Sequence, residues 1–204
     1  MRTALILAAA AAGGALWTLS GQALRPSSRP LEDPDAYAVI ASLLPSEWSV
    51  RDAHAKRLVF QQETETYRQC MPSGPPLETD WKLVVESFWS ENATTRLLRG
   101  DADLGIPYVV VPREEVRATL LEVPRVPNDP ASGWTGFYRH YPDSGGFMIA
   151  SAVGFDAAKK RAMVYLSHTC GGLCGGGQHH LLEKVDGRWR EARVEGLNNC
   201  IWAS

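Results

Sequence analysis

The chain has 204 residues, 45% hydrophobic and 22% charged, with a formal net charge of −2. This is ordinary globular composition, long enough for a sizeable core, and one domain is the natural reading. Acidic and basic residues are interspersed without a basic stripe for a phosphate backbone, which argues against nucleic acid as a partner.

Met1-Arg2 is a short positive start, and Leu5 to Leu19 is an alanine-rich apolar run followed by Gly21-Gln22-Ala23. The pattern predicts a secretory signal peptide over residues 1–23, cleaved after a small-x-small site. Its alternative, an uncleaved anchor and hence a membrane association, is disfavoured because the run is short for a bilayer. No cysteine stands near the cleavage site to be lipid-modified, and no later segment is apolar enough to span. Cleavage removes only Arg2 among the charged residues, so the net charge becomes −3. The expected location is periplasmic or secreted. There the four cysteines, Cys70, Cys170, Cys174 and Cys200, tend to end as disulfides, with three possible pairings into two bridges.

Residues 24–32 hold Pro26 and Pro30 without a hydrophobic period and read as a flexible leader, with a single α+β domain over 33–204. Asp33-Pro34 is a helix start, and Tyr37, Ile40, Ala41 and Leu44 share a face until Pro45 ends the helix. Residues 57–67 alternate loosely and predict a strand; Cys70 to Pro76 is a proline-rich loop. The spacing of Trp81, Val84, Val85, Phe88 and Trp89 predicts a helix over 79–98. Asn92-Ala93-Thr94 matches a glycosylation acceptor, a short motif that commonly arises by chance. A short strand is expected over 106–111, a helix over 113–121, and a proline-rich connection over 124–130. Trp134 to Tyr141 is aromatic and reads as a short helix laid on a sheet, its rings more often core than pocket.

The last third is β in character. Strands are expected over 147–155 and 161–168, the latter central, apolar on both faces and covered on one side by the helices. A glycine-rich loop separates it from a strand over 178–185, and Asp186-Gly187 predicts a type I′ turn into 188–194. Ile201-Trp202 makes a last short strand. The expected fold is α+β, with N-terminal helices packed on a C-terminal antiparallel β-meander.

Several stretches occur together in this order: Tyr141-Pro-Asp-Ser-Gly-Gly146, Val153-Gly-Phe155, Ala162-Met-Val-Tyr165, Cys170-Gly-Gly-Leu-Cys-Gly175, Leu181-Leu-Glu-Lys184, Gly187-Arg-Trp189 and Ile201-Trp-Ala-Ser204. From about Trp134 onward the chain resembles an uncharacterised family of exported bacterial proteins with a C-G-x-L-C-G hairpin and a Trp-x-Ser ending. The resemblance implies export and a shared domain, and no activity.

The loop from His168 to His180 is the candidate site. Cys170 and Cys174, three residues apart with two glycines between them, can approach closely enough for a disulfide, leaving Cys70 and Cys200 as a second bridge. A zinc or copper site from His168, Cys170, Cys174 and either His179 or His180 is the alternative; the two adjacent histidines face opposite ways on a strand, so only one can join. A third possibility is a thiol-redox pair, although no C-x-x-C is present. Ser167-His168 cannot be nucleophile and base to each other as strand neighbours. Glu114-Glu115 and Asp101/Asp103 read as a solvated helix face and a loop. The glycine run lacks the lysine and helix of a phosphate-binding loop. No catalytic residue and no cofactor is assigned. The functional expectation is a binding module for an unknown protein or small ligand, recognised by the Cys-Gly hairpin together with Trp134–Tyr141. A metal-binding or thiol-redox protein is the alternative.

Overall fold

The computed structural model describes residues 28–48, 55–67, 79–129, 131–194 and 201–203. The expected signal peptide, the segment from Cys70 to Pro76 expected as a loop, and Cys70 and Cys200 with their expected bridge all lie outside the described residues.

The described residues form ten strands and four helices, beginning with β1 (Arg29–Pro30), α1 (Pro34–Trp48), β2 (Arg57–Gln61), α2 (Thr79–Glu91), β3 (Arg96–Leu97), β4 (Tyr108–Val111) and α3 (Arg113–Leu121). A 3-10 turn, Ser132–Trp134, leads into α4 (Thr135–His140). Then come β5 (Ser144–Ala150), β6 (Gly154–Phe155), β7 (Arg161–Gly171), β8 (Cys174–Val185), β9 (Arg188–Glu191) and β10 (Ile201–Ala203).

The fold is α+β, but its large sheet is mixed. The strand order is β10-β8-β7-β5-β2-β4, with β6 beside β7 and β9 beside β8. From β5 onward every pairing is antiparallel, as the meander requires. β2, however, runs parallel to both its neighbours, β4 and β5. Parallel neighbours need a crossover of a dozen or more residues. α2 lies in the connection from β2 to β4, and α3 with α4 in that from β4 to β5.

β7 is central, and both its faces are buried rather than one. Ala162, Val164 and Leu166 point to one side, where α1 lays Ala36, Val39, Ile40, Leu43 and Leu44. Met163 and Tyr165 point to the other, under Trp81, Val84 and Phe88 of α2. Further along that second face, Val116 of α3 and Trp134, Phe137 and Tyr141 cover Val59, Val111 and Phe147. α1 and α2 thus sit on opposite faces, and the second face carries two helical caps.

Local chemistry explains where the elements begin and end. Asp33 Oδ1 accepts the Asp35 N–H at 3.0 Å and starts α1 as expected. The helix does not stop at Pro45: it continues to Trp48, because proline removes one bond from the ladder but keeps a helical φ. The segment read as a leader is part of the fold at its end, where β1 pairs with β3 and Leu31 is buried. α2 ends at Glu91, and Arg96–Leu97, expected as helix, is a strand. The Asn92 amide ends the helix: Nδ2 donates to the carbonyls of Phe88 (2.8 Å) and Ala152 (3.0 Å), and Oδ1 accepts the Ala152 N–H at 2.9 Å. The side chain that a glycan would modify is therefore engaged in the fold. Asn92→Ala strands these partners and is expected to lower the unfolding free energy by about 2 kcal/mol, read by urea denaturation.

Trp134 stacks on Phe147 at 5.7 Å between ring centres, and Phe137 is fully buried. Trp134, Phe137 and Tyr141 are core, the reading favoured for these rings, which leaves them little surface for the recognition role also expected of the segment. Aromatic burial outweighs exposure here because three rings meet one sheet face. At Asp186 and Gly187 φ is +50° and +75°, the two positive values of the expected turn.

Candidate functional site

The Cys-Gly hairpin is tighter than the expected loop. Gly175 to Gly177 belong to β8, and only Gly172 and Leu173 connect Gly171 to Cys174. Cys170 and Cys174 form a disulfide across this turn, with Cα atoms 5.0 Å apart. The Tyr138 hydroxyl donates to the Cys170 carbonyl at 2.8 Å, fastening the hairpin to α4. A closed loop this short removes on the order of 2 kcal/mol of chain entropy from the unfolded state. Alkylation without reduction is expected to leave Cys170 and Cys174 unlabelled, and the double serine variant to be about 2 kcal/mol less stable.

The structure does not bring the proposed metal ligands together. Both sulfurs of Cys170 and Cys174 are bonded to each other. His168 and His180 share a face but stand four strand positions apart, about 13 Å. His168 Nε2 is 2.7 Å from the Gly145 carbonyl, and His180 Nδ1 is 2.6 Å from Glu191 Oε1. Among the described residues no group of three or more histidine, cysteine or acidic side chains is placed to hold a metal ion. The carboxylate pairs are structural too. Asp101 binds Arg99, Asp103 accepts the Gly105 N–H, and Glu115 accepts the Tyr141 hydroxyl at 2.7 Å.

The open ground lies elsewhere, on the second face of the sheet between the two helical caps. There a cleft of about 330 Å³ is lined by Glu65, Thr66, Tyr67, Ile149, Tyr165, Ser167, Thr169 and Trp202. Alternation on β5 and β7 supplies the floor, because Ile149 pairs with Ser167 and both side chains emerge on one side. The stretch after β2 supplies one wall. Its path is fixed where Thr64 Oγ1 accepts the Arg96 N–H (2.8 Å) and the Glu65 N–H donates to Ala150 (3.0 Å). Tyr67 then stacks over Tyr165 at 6.5 Å and faces Trp202 at 6.4 Å.

Trp202 reaches the cleft because a glycine lies opposite it. Trp202 pairs with Gly177, and Gly177 with Ser167. A Cβ on Gly177 would sit 2.6 Å from the Ser167 Cβ, 2.6 Å from the Tyr165 hydroxyl and 2.7 Å from Trp202 Nε1. Without it, the Trp202 N–H donates to the Tyr165 hydroxyl at 2.7 Å. The glycine that looked like loop is therefore a gap into which the last strand packs its indole. Burial pushes the Tyr165 phenol above its usual range, and its bonds to Trp202 and Ser167 offset part of that rise.

Behind the cleft, His179 packs against Tyr165 and Phe88, and its Nε2 lies 3.3 Å from the Thr66 hydroxyl. Burial, with a smaller contribution from the His180 charge, lowers its pKa to about 4. A hydroxyl beside an imidazole is the arrangement of a nucleophile and its base, but so weak a base takes little proton at neutral pH. Ser167 faces the cleft and His168 the other side of the sheet, so those neighbours do not cooperate.

Tyr67, Tyr165 and Trp202 are functional candidates with no place in the site expected from the sequence, and Ser167 entered it only as a neighbour of His168. The usable signal was the alternation of Gly175 and Gly177 opposite Thr169 and Ser167, visible only once the β7–β8 register is known. A second cavity, between α1 and α2, is lined by Asp33, Glu91 and Arg96. Of its charged groups Arg96 pairs with Glu91, and Asp33 pairs with Lys159 from outside the lining. No family model matches the chain, and comparison with curated proteins and with solved structures gave no significant match.

Proposed function

We propose that the protein is an exported, disulfide-stabilised binding module whose ligand occupies the cleft between Tyr67, Tyr165 and Trp202. One observation carries this reading. Three aromatic side chains from distant segments converge on one floor, and a glycine is spent to seat the third of them. A concave, largely apolar site with a few polar groups is the usual form of a small-molecule site. Export rests on the signal-like residues 1–23 and on the disulfide; among the described residues, no helix is long and apolar enough to cross a membrane.

A thermal-shift screen with panels of amines, saccharides, nucleosides and aromatic acids tests the cleft. A ligand that raises Tm for the parent, and binds Trp202→Ala at least about tenfold more weakly, is the expected result. A screen without hits, or hits indifferent to Trp202, removes the reading. Thiol–disulfide exchange at Cys170–Cys174 is the second reading, favoured by the exposure of Cys174 at the turn. The pair sits in a strand hairpin rather than at a helix N-terminus, which gives its thiols no electrostatic activation from a helix.

A further inference from the structure

The lining of the cleft narrows the chemistry of what it holds, and this step rests on the reading just given. Among the described residues no lysine or arginine lines the cleft, so none of these groups compensates an anionic ligand. Its one carboxylate, Glu65, is already paired with the Arg113 guanidinium at 3.0 Å, which leaves little charge for a cation. The other side-chain polar groups of the described lining are mostly hydroxyls: Ser167, Thr169 and the Tyr67 phenol, with Thr66 already beside His179 and the Tyr165 phenol already taking the Trp202 N–H. A hydroxyl both donates and accepts, so such a set matches a ligand that itself carries several hydroxyl or amide groups. An ammonium ion would use the acceptors alone.

The aromatic walls add a second requirement. The rings of Tyr67, exposed, and Trp202, half-buried, present electron-rich faces, with Tyr165 buried behind them; such faces attract the weakly positive C–H bonds of a saturated ring. A ligand with C–H bonds on its faces and hydroxyls around its edge satisfies both halves of the site at once. The geometry points to an uncharged saccharide, one or two pyranose rings in size, stacked on the aromatic walls with its hydroxyls toward Ser167 and Thr169. Such a ligand fits a volume of about 330 Å³.

The test titrates the protein with cellobiose, maltose and N,N′-diacetylchitobiose, following tryptophan fluorescence and Tm. Tetramethylammonium and glucuronic acid are the charged comparisons. Binding of at least one neutral disaccharide is expected, about tenfold weaker in Tyr67→Ala and in Trp202→Phe, and a few-fold weaker in Ser167→Ala. Tyr67 is 37% exposed, so its truncation reports on binding without threatening the fold. If tetramethylammonium or glucuronic acid binds in a Tyr67-dependent manner and no disaccharide does, the ligand class is wrong and the cleft stands. Disaccharide binding indifferent to Tyr67 and Trp202 overturns the placement. If no probe of any kind binds, the class and the binding reading fail together.

Discussion

Replacing Phe88 with alanine is expected to lower the unfolding free energy by about 3–5 kcal/mol, enough to consume much of a typical domain's stability. Phe88 is fully buried and packs edge-on against Trp89 and His179, so its loss opens a cavity at the junction of α2 with the back of the cleft. The same helix turn rests directly on a strand. A Cβ on Gly154 would lie 2.2 Å from the Phe88 backbone nitrogen and 2.4 Å from its Cα. Gly154→Ala must therefore lift α2 from β6, at a cost of about 1–3 kcal/mol. Because the obstacle is backbone, trimming the ring does not make room for the methyl group. The double variant should be at least as unstable as Phe88→Ala alone in denaturant unfolding. Recovery of stability in the double variant would show that the contact is not the rigid one described.

Acidification from pH 6.5 to pH 4 should cost the protein about 3 kcal/mol through His179 alone. Its pKa falls to about 4 in the fold, mainly through burial, while an unfolded histidine keeps the ordinary value of 6.5. Between those values the unfolded chain binds a proton that the folded chain refuses, so stability falls as pH drops. The contribution is fully present above pH 6.5 and lost by about pH 4. His179→Phe keeps an aromatic ring against Phe88 and Tyr165 but cannot titrate. Its stability should fall less steeply over this window, while its slope above pH 7 should match the parent's. Asp35, Glu122 and Glu191, held below the usual carboxylate range by their basic neighbours, lose their contributions at lower pH and in both proteins alike. Parallel curves from pH 7 to 4 would mean that His179 titrates normally and is not sealed in the core.

What was legible in the sequence was whatever is decided locally. The α3 helix spans the residues expected of it, and the Asp186-Gly187 turn follows from two positive φ angles that few residue pairs tolerate. The close approach of Cys170 and Cys174 needs only a short glycine connection, and it is there. What was not legible depends on partners far away in the chain. The apolar run of β4 does not say that it lies parallel to β2. Periodicity carries α2 past Asn92, because the carbonyl that stops it belongs to Ala152, sixty positions on. The cleft was hidden for the same reason: Tyr67, Tyr165 and Trp202 meet only through strand register, and Gly177 looks like loop until Trp202 is placed across it.

The layering has a bearing on how the chain comes to be folded during synthesis. α1 and α2 are made early, yet the surfaces they bury belong largely to β6, β7, β8 and β9, which emerge last. Neither helix touches a completed hydrophobic partner until then, and helices of this length are marginal in water alone. The β7–β8–β9 ribbon, closed by two tight turns, is the part with short loops to close and can assemble by itself. Folding therefore waits for the C-terminal third, and a nascent chain stopped before Arg161 has no sheet centre on which to settle.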